Sequence, residues 1–115
     1  MSDMYEVRLG LTVSGPDRAS HFEVVVDAYA ELEAVHDDLL DSSFGFSDGA
    51  DEGAMDIEIT VSAASEDAAH DLARSSVRAA IQAAGGCTPN WADRSPATPT
   101  SVYRVLSESV DRVLA

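Results

Sequence analysis

Lysine is absent from the sequence, so its seven arginines are its only permanent side-chain cations. That absence excludes a phosphate-binding loop built on lysine, Schiff-base chemistry and a Ser-Lys dyad. Cysteine occurs once, at Cys87, so no internal disulfide can form, and a reducing cytoplasm is the expected compartment. Aromatic residues make up only 6% of the chain. Long hydrophobic runs are missing too: none approaches the ~18 apolar residues of a membrane span. The opening segment, Met1 to Arg8, has neither a basic nor an apolar stretch, so no secretory signal is expected there. No G-x-G-x-x-G, H-E-x-x-H, C-x-x-C or G-x-S-x-G occurs, and no cofactor or catalytic metal is expected.

What is present is acid. Asp and Glu number 21, giving a net charge of −14 over 115 residues. This charge opposes binding to nucleic-acid phosphates and to anionic lipid, and favours basic partners. It also suits plain solubility, and alanine- and aspartate-rich usage with arginine over lysine fits the habit of a GC-rich genome or a salt-adapted organism. At 45% hydrophobic the chain is too apolar for a disordered acidic tail, and its length is that of one domain. The last 28 residues hold three acids and three arginines, so the whole net charge belongs to residues 1–87.

Residues 4–13 alternate, with Tyr5, Val7, Leu9, Leu11 and Val13 on one side, which predicts a half-buried strand. Ser14-Gly15-Pro16-Asp17 reads as a turn. Ser20-His21-Phe22-Glu23 has the form of a capping box, and Phe22, Val25, Val26, Tyr29, Leu32, Leu39 and Leu40 recur at helical spacing. Together they predict a helix over 20–41. A short strand is expected at Ser43–Ser47, a hairpin connection over Asp48–Gly53, and a second alternating strand over 55–62. Ser65 then caps a helix running to residue 84, with Glu66 and Asp67 at its positive end and Gly85-Gly86 stopping it. A strand near Cys87–Trp91, a Pro-containing linker over 92–100 and an amphipathic helix over 101–115 complete the reading. The order β-α-β-β-α-β predicts an α+β two-layer sandwich of the ferredoxin-like, split βαβ kind, with an added C-terminal helix. The acidic domain would span residues 1–91.

Several constellations suggest chemistry. The first helix carries Glu23, Asp27 and Glu31 at i, i+4, and Glu33, Asp37 and Asp41 at the same spacing, with no cation between residues 20 and 41. Each like-charge pair costs a few tenths of a kcal/mol. Glu23, Asp27, Glu31 and Asp38 are therefore candidates for contact with a basic partner, against a plain solvated face. The loop from Asp48 partly resembles a calcium loop, with Gly53 at the turn position, but Ile59 stands where a bidentate Glu is needed. His70 shares a helical face with Glu66 and Asp67, an arrangement short of a metal site. His36 is expected to be half-buried between Leu32 and Leu39, while His21 carries no further signal. Cys87 lacks a basic activator and reads as a small buried side chain. Trp91 is a candidate partner anchor. Val102, Leu106 and Val110 would form the docking stripe of the C-terminal helix.

The expected function is a non-enzymatic protein–protein interaction module, oligomeric, with a basic protein or a second copy as partner. One alternative is a nucleic-acid mimic that inhibits a basic protein through the acidic first helix. Another is a small-ligand-binding regulatory domain, an inference from fold analogy alone. No nucleophile–base pair adjoins in the sequence, so no catalytic residue is assigned.

Overall fold

The computed structural model describes residues 2–86, 88 and 101–113. Strand β1 (Asp3–Ser14) runs through the middle of the sheet, and helix α1 (Arg18–Val35) follows it. Strands β2 (Leu39–Asp48) and β3 (Gly53–Ala63) form a hairpin, followed by helix α2 (Glu66–Ala83) and strand β4 (Val102–Arg112). The sheet has the order β2-β3-β1-β4, with every neighbouring pair antiparallel. The fold is thus α+β, with two helices against one four-stranded antiparallel sheet.

Alternation explains the layering. Opposite faces of a strand take alternate residues. Tyr5, Val7, Leu9 and Leu11 of β1 pair with Val61, Ile59, Ile57 and Met55 of β3, and all eight are buried. Val25 and Tyr29 of α1 and Ala69, Ala73, Val77, Ala80 and Ile81 of α2 join the same core. The alanines of α2 have no bulk to hold neighbours away, so the helix lies close to the sheet and to α1. Between the helices the Tyr29 hydroxyl donates to Ser76 Oγ at 3.0 Å, and Ser76 in turn donates to the Ala73 carbonyl at 2.9 Å.

Helix α2 starts as the sequence predicts: Ser65 Oγ accepts from the Ala68 amide at 3.1 Å. It stops at Gly85, whose φ of 85° suits a residue without a Cβ.

Three expectations are corrected. Helix α1 spans 18–35, not 20–41: its N-cap is Asp17, without a side-chain cap bond, and Ser20 lies inside the helix, so the capping box does not form. Leu39 and Leu40 continue the helical spacing, yet both belong to β2, where Leu39 pairs with Val61. The expected short strand at 43–47 is accordingly the interior of a ten-residue one.

The third correction concerns the C-terminal helix. Residues 102–112 form strand β4, so the stripe of Val102, Leu106 and Val110 is not a helical docking face. The register along β1 shifts between Gly10, opposite Ser107, and Leu11, opposite Val105, leaving Leu106 as the extra residue of a bulge. A bulge changes the phase of alternation. Tyr103 and Val105 face the core before it, Val110 packs on the core after it, and the resulting spacing imitates a helix. The expected strand at 87–91 and the linker at 92–100 lie outside the described residues, apart from Thr88, which has no regular structure.

Candidate functional site

The helices cover one face of the sheet. Among the described residues nothing covers the other. It carries Glu6, Arg8, Gly10 and Thr12 from β1, Asp56, Glu58 and Thr60 from β3, and Arg104, Ser107, Ser109 and Asp111 from β4. Its charges are partly matched. Arg8 donates to Glu6 at 2.8 Å and lies 3.5 Å from Glu58. The hydrogen bond to Glu6, followed by the attraction of Glu6 and Glu58, pushes the Arg8 guanidinium above its ordinary value. Asp56 has no ion pair among the described residues.

A cavity of about 450 Å³ opens on this face over Gly10, bordered by Arg8, Asp56, Glu58, Ser107 and Ser109. Its shape follows from one cross-strand row. Gly45, Asp56, Gly10 and Ser107 lie side by side on β2, β3, β1 and β4. Asp56 therefore stands between two residues without side chains. The two glycines differ in surroundings. A Cβ on Gly10 would lie 2.6 Å from Ser107 Oγ, so a side chain there would need that hydroxyl to swing aside. A Cβ on Gly45 would meet nothing within 4 Å, and its φ is not positive. Glycine inside a strand costs roughly 0.5–1 kcal/mol relative to alanine, and no packing demand accounts for it here.

On the helix side, Glu108 of β4 turns toward α2. Its carboxylate accepts from Arg74 Nε at 3.2 Å and Nη2 at 3.0 Å, and from His70 Nε2 at 3.0 Å. This corrects the grouping of His70 with Glu66 and Asp67: the carboxylate at its ring nitrogen comes from a distant strand that the bulge turns inward. Among the described residues no cluster of three metal-ligating side chains occurs.

The resemblance to a calcium loop dissolves as well. Arg18, with only 14% of its side chain exposed, donates to the Asp48 carboxylate and to the carbonyls of Gly49 (2.7 Å) and Ala50 (3.4 Å). Its guanidinium fills the space a cation would take and ties the start of α1 to the β2–β3 turn. Sequence reasoning gave Arg18 no role, because its partners lie about thirty residues away.

The acidic helix candidates separate. Glu23, Asp27 and Glu31 are exposed along α1. The second series breaks up where the helix ends: Glu33 accepts from Ser42 Oγ at 2.6 Å, and Asp37 and Asp38 sit exposed in the turn before β2. The α1 stripe and the open sheet face lie on opposite layers, so they do not form one site. Leu106 is 69% exposed at the bulge, whereas Val102 and Val110 are half-buried. Trp91 and Cys87 lie outside the described residues. His36 is exposed rather than half-buried, because α1 ends just before it.

His21, to which the sequence assigned no role, is buried in a polar junction. A carbonyl only accepts, so His21 Nε2 donates to the Ala84 carbonyl at 2.7 Å. Nδ1 then accepts from the Tyr103 hydroxyl at 2.7 Å. Three elements meet at that ring, and nothing in the local sequence signals it. Compared with protein-family models, curated proteins and solved structures, the chain has no match.

Proposed function

We propose that this chain is a non-enzymatic interaction module whose uncovered sheet face engages a basic protein segment. One observation carries the reading: the face left open by the two helices is polar, concave over Gly10 and richer in carboxylates than in arginines. Such a surface attracts cationic partners and gives them a shaped place to rest. A basic partner suits it better than a second copy, since two copies face to face would oppose Glu6, Asp56, Glu58 and Asp111 to one another. Both edge strands also carry register irregularities, after Leu39 in β2 and at Leu106 in β4, which disfavour edge-to-edge oligomers. We read the arrangement as ferredoxin-like, supported by the chain order strand-helix-strand-strand-helix-strand. A cytoplasmic setting belongs to the same proposal. No helix among the described residues is long and apolar enough to cross a membrane.

The second reading is a nucleic-acid mimic acting through α1, favoured by the exposed line of Glu23, Asp27 and Glu31 without an intervening cation. Titration of the labelled protein with an arginine-rich nonapeptide, followed by amide chemical shifts, separates the two. Shifts centred on Arg8, Gly10, Asp56 and Ser107 support the sheet face. Shifts centred on Glu23, Asp27 and Glu31 transfer the function to α1. No saturable shift at ~50 mM salt, where surface charges act over the longest range, overturns both.

A further inference from the structure

From the same face, and resting on the reading just given, we infer that Asp56 is the seat for one arginine side chain of an extended basic partner segment, with Gly10 and Gly45 clearing the space around it. The charge is complementary and available. Arg8 is already engaged by Glu6 and Glu58, whereas Asp56 has no ion pair among the described residues. Two acceptors border one point: Ser107 Oγ and Asp56 Oδ1 lie 2.6 Å and 3.8 Å from the position a Cβ on Gly10 would occupy. A guanidinium, with five donors in a planar fork, can serve a carboxylate and a hydroxyl together, which an ammonium does less well. Gly45 is the independent sign. It weakens an edge strand without easing any contact, and glycine in a strand often marks the close approach of a ligand or of another backbone. The cavity of about 450 Å³ leaves ample room for a single arginine side chain.

The test uses a blocked pentapeptide, Gly-Ser-Arg-Ser-Gly, with lysine and citrulline versions, titrated into the labelled chain. The arginine peptide is expected to shift the amides of Gly10, Gly45, Asp56 and Ser107, to bind more tightly than the lysine version, and to lose its effect as citrulline. D56N should weaken binding about tenfold, the loss of one charge-assisted pair. G45V should weaken it similarly while keeping or raising the melting temperature, because its new side chain enters open space. Equal binding by wild type, D56N and G45V overturns the assignment, but leaves the basic-partner reading standing if the arginine-rich nonapeptide still shifts the sheet face. Equal affinity for lysine and arginine versions overturns the guanidinium. No response to either the pentapeptide or the nonapeptide overturns the seat and the wider reading together.

Discussion

Two buried tyrosines make this protein sensitive to alkali. Burial pushes the Tyr29 phenol from its ordinary 10 up to about 12, with a smaller push from Glu33 and Asp38 and an opposing pull from Ser76. Burial also raises Tyr103. Both rings are almost fully shielded, at 1% and 0% exposure. In the unfolded chain each phenol ionises near pH 10, while the folded chain keeps its protons, so above pH 10 unfolding releases protons and stability falls. The Tyr29 contribution is fully present below pH 10 and lost as pH rises toward 12, about 2–3 kcal/mol in all. Urea denaturation at pH 9 and pH 11.5 should show the loss, and Tyr29→Phe should flatten that slope. An unchanged midpoint across the range would mean that Tyr29 is not held protonated. The His21 junction gives a second expectation at this scale. His21→Phe matches the ring but strands the Tyr103 hydroxyl and the Ala84 carbonyl in the interior, at a cost of about 1–3 kcal/mol. Chemical denaturation measures it directly.

Elements were readable from the sequence where one regular period ran unbroken. Strands β1 and β3 alternate without interruption, and α2 has both its cap and its stop, so all three fall within about two residues of expectation. The failures came where two periods met or one was reset. Leu39 and Leu40 kept helical phase with Leu32 after the helix had ended. Strand β4 hid its alternation behind the bulge at Leu106, although its valines at 102, 105 and 110 are strand formers. The polar face of the sheet was legible in the sequence, because the alternation of residues 4–13 and 55–62 alone places Glu6, Arg8, Thr12, Asp56, Glu58 and Thr60 on one side. The cavity was not, because it depends on cross-strand neighbours, Gly10 beside Ser107 and Asp56 beside Gly45, that only register decides. The bulge itself can be tested. Deleting Leu106 takes out the extra residue, so β4 alternates simply with Val105 still opposite Leu11 and Ser107 still opposite Gly10. Glu108 and Val110 keep facing the helices, and the Glu108–Arg74–His70 cluster survives. The expected change in stability is within about 1 kcal/mol, because the removed side chain is exposed. Hydrogen exchange should show amides 107–112 as protected as in the wild type. Early opening there would mean that the strand needs the bulge to hold its register.

The charge of the whole molecule sets its response to salt. At −14, and with Glu23, Asp27 and Glu31 in line on α1, the folded chain compresses repulsion that unfolding relaxes. Raising salt from 50 to 500 mM shortens the screening length about threefold, so folding stability should increase. The increase should be modest. Only the first of the two expected acidic series survives on a helix, because Glu33, Asp37 and Asp41 end in a helix, a turn and a strand. Two i, i+4 pairs at a few tenths of a kcal/mol each, added to the general repulsion, give about 0.5–1.5 kcal/mol. Asp27→Arg places a cation between Glu23 and Glu31 and converts both repulsive pairs into attractive ones. That variant should be more stable than wild type by about 0.5–1 kcal/mol at 50 mM salt, with the advantage shrinking at 500 mM. Melting temperatures of both proteins at the two salts check this. The variant also divides the two candidate surfaces. Its substitution lies on the helix layer, away from Asp56, so binding of a basic peptide by the sheet face should weaken only through the change in net charge, and less at high salt. If Asp27→Arg instead removes binding at both salts while D56N leaves it unchanged, the partner surface is α1, and the acid there is kept for contact at the expense of stability.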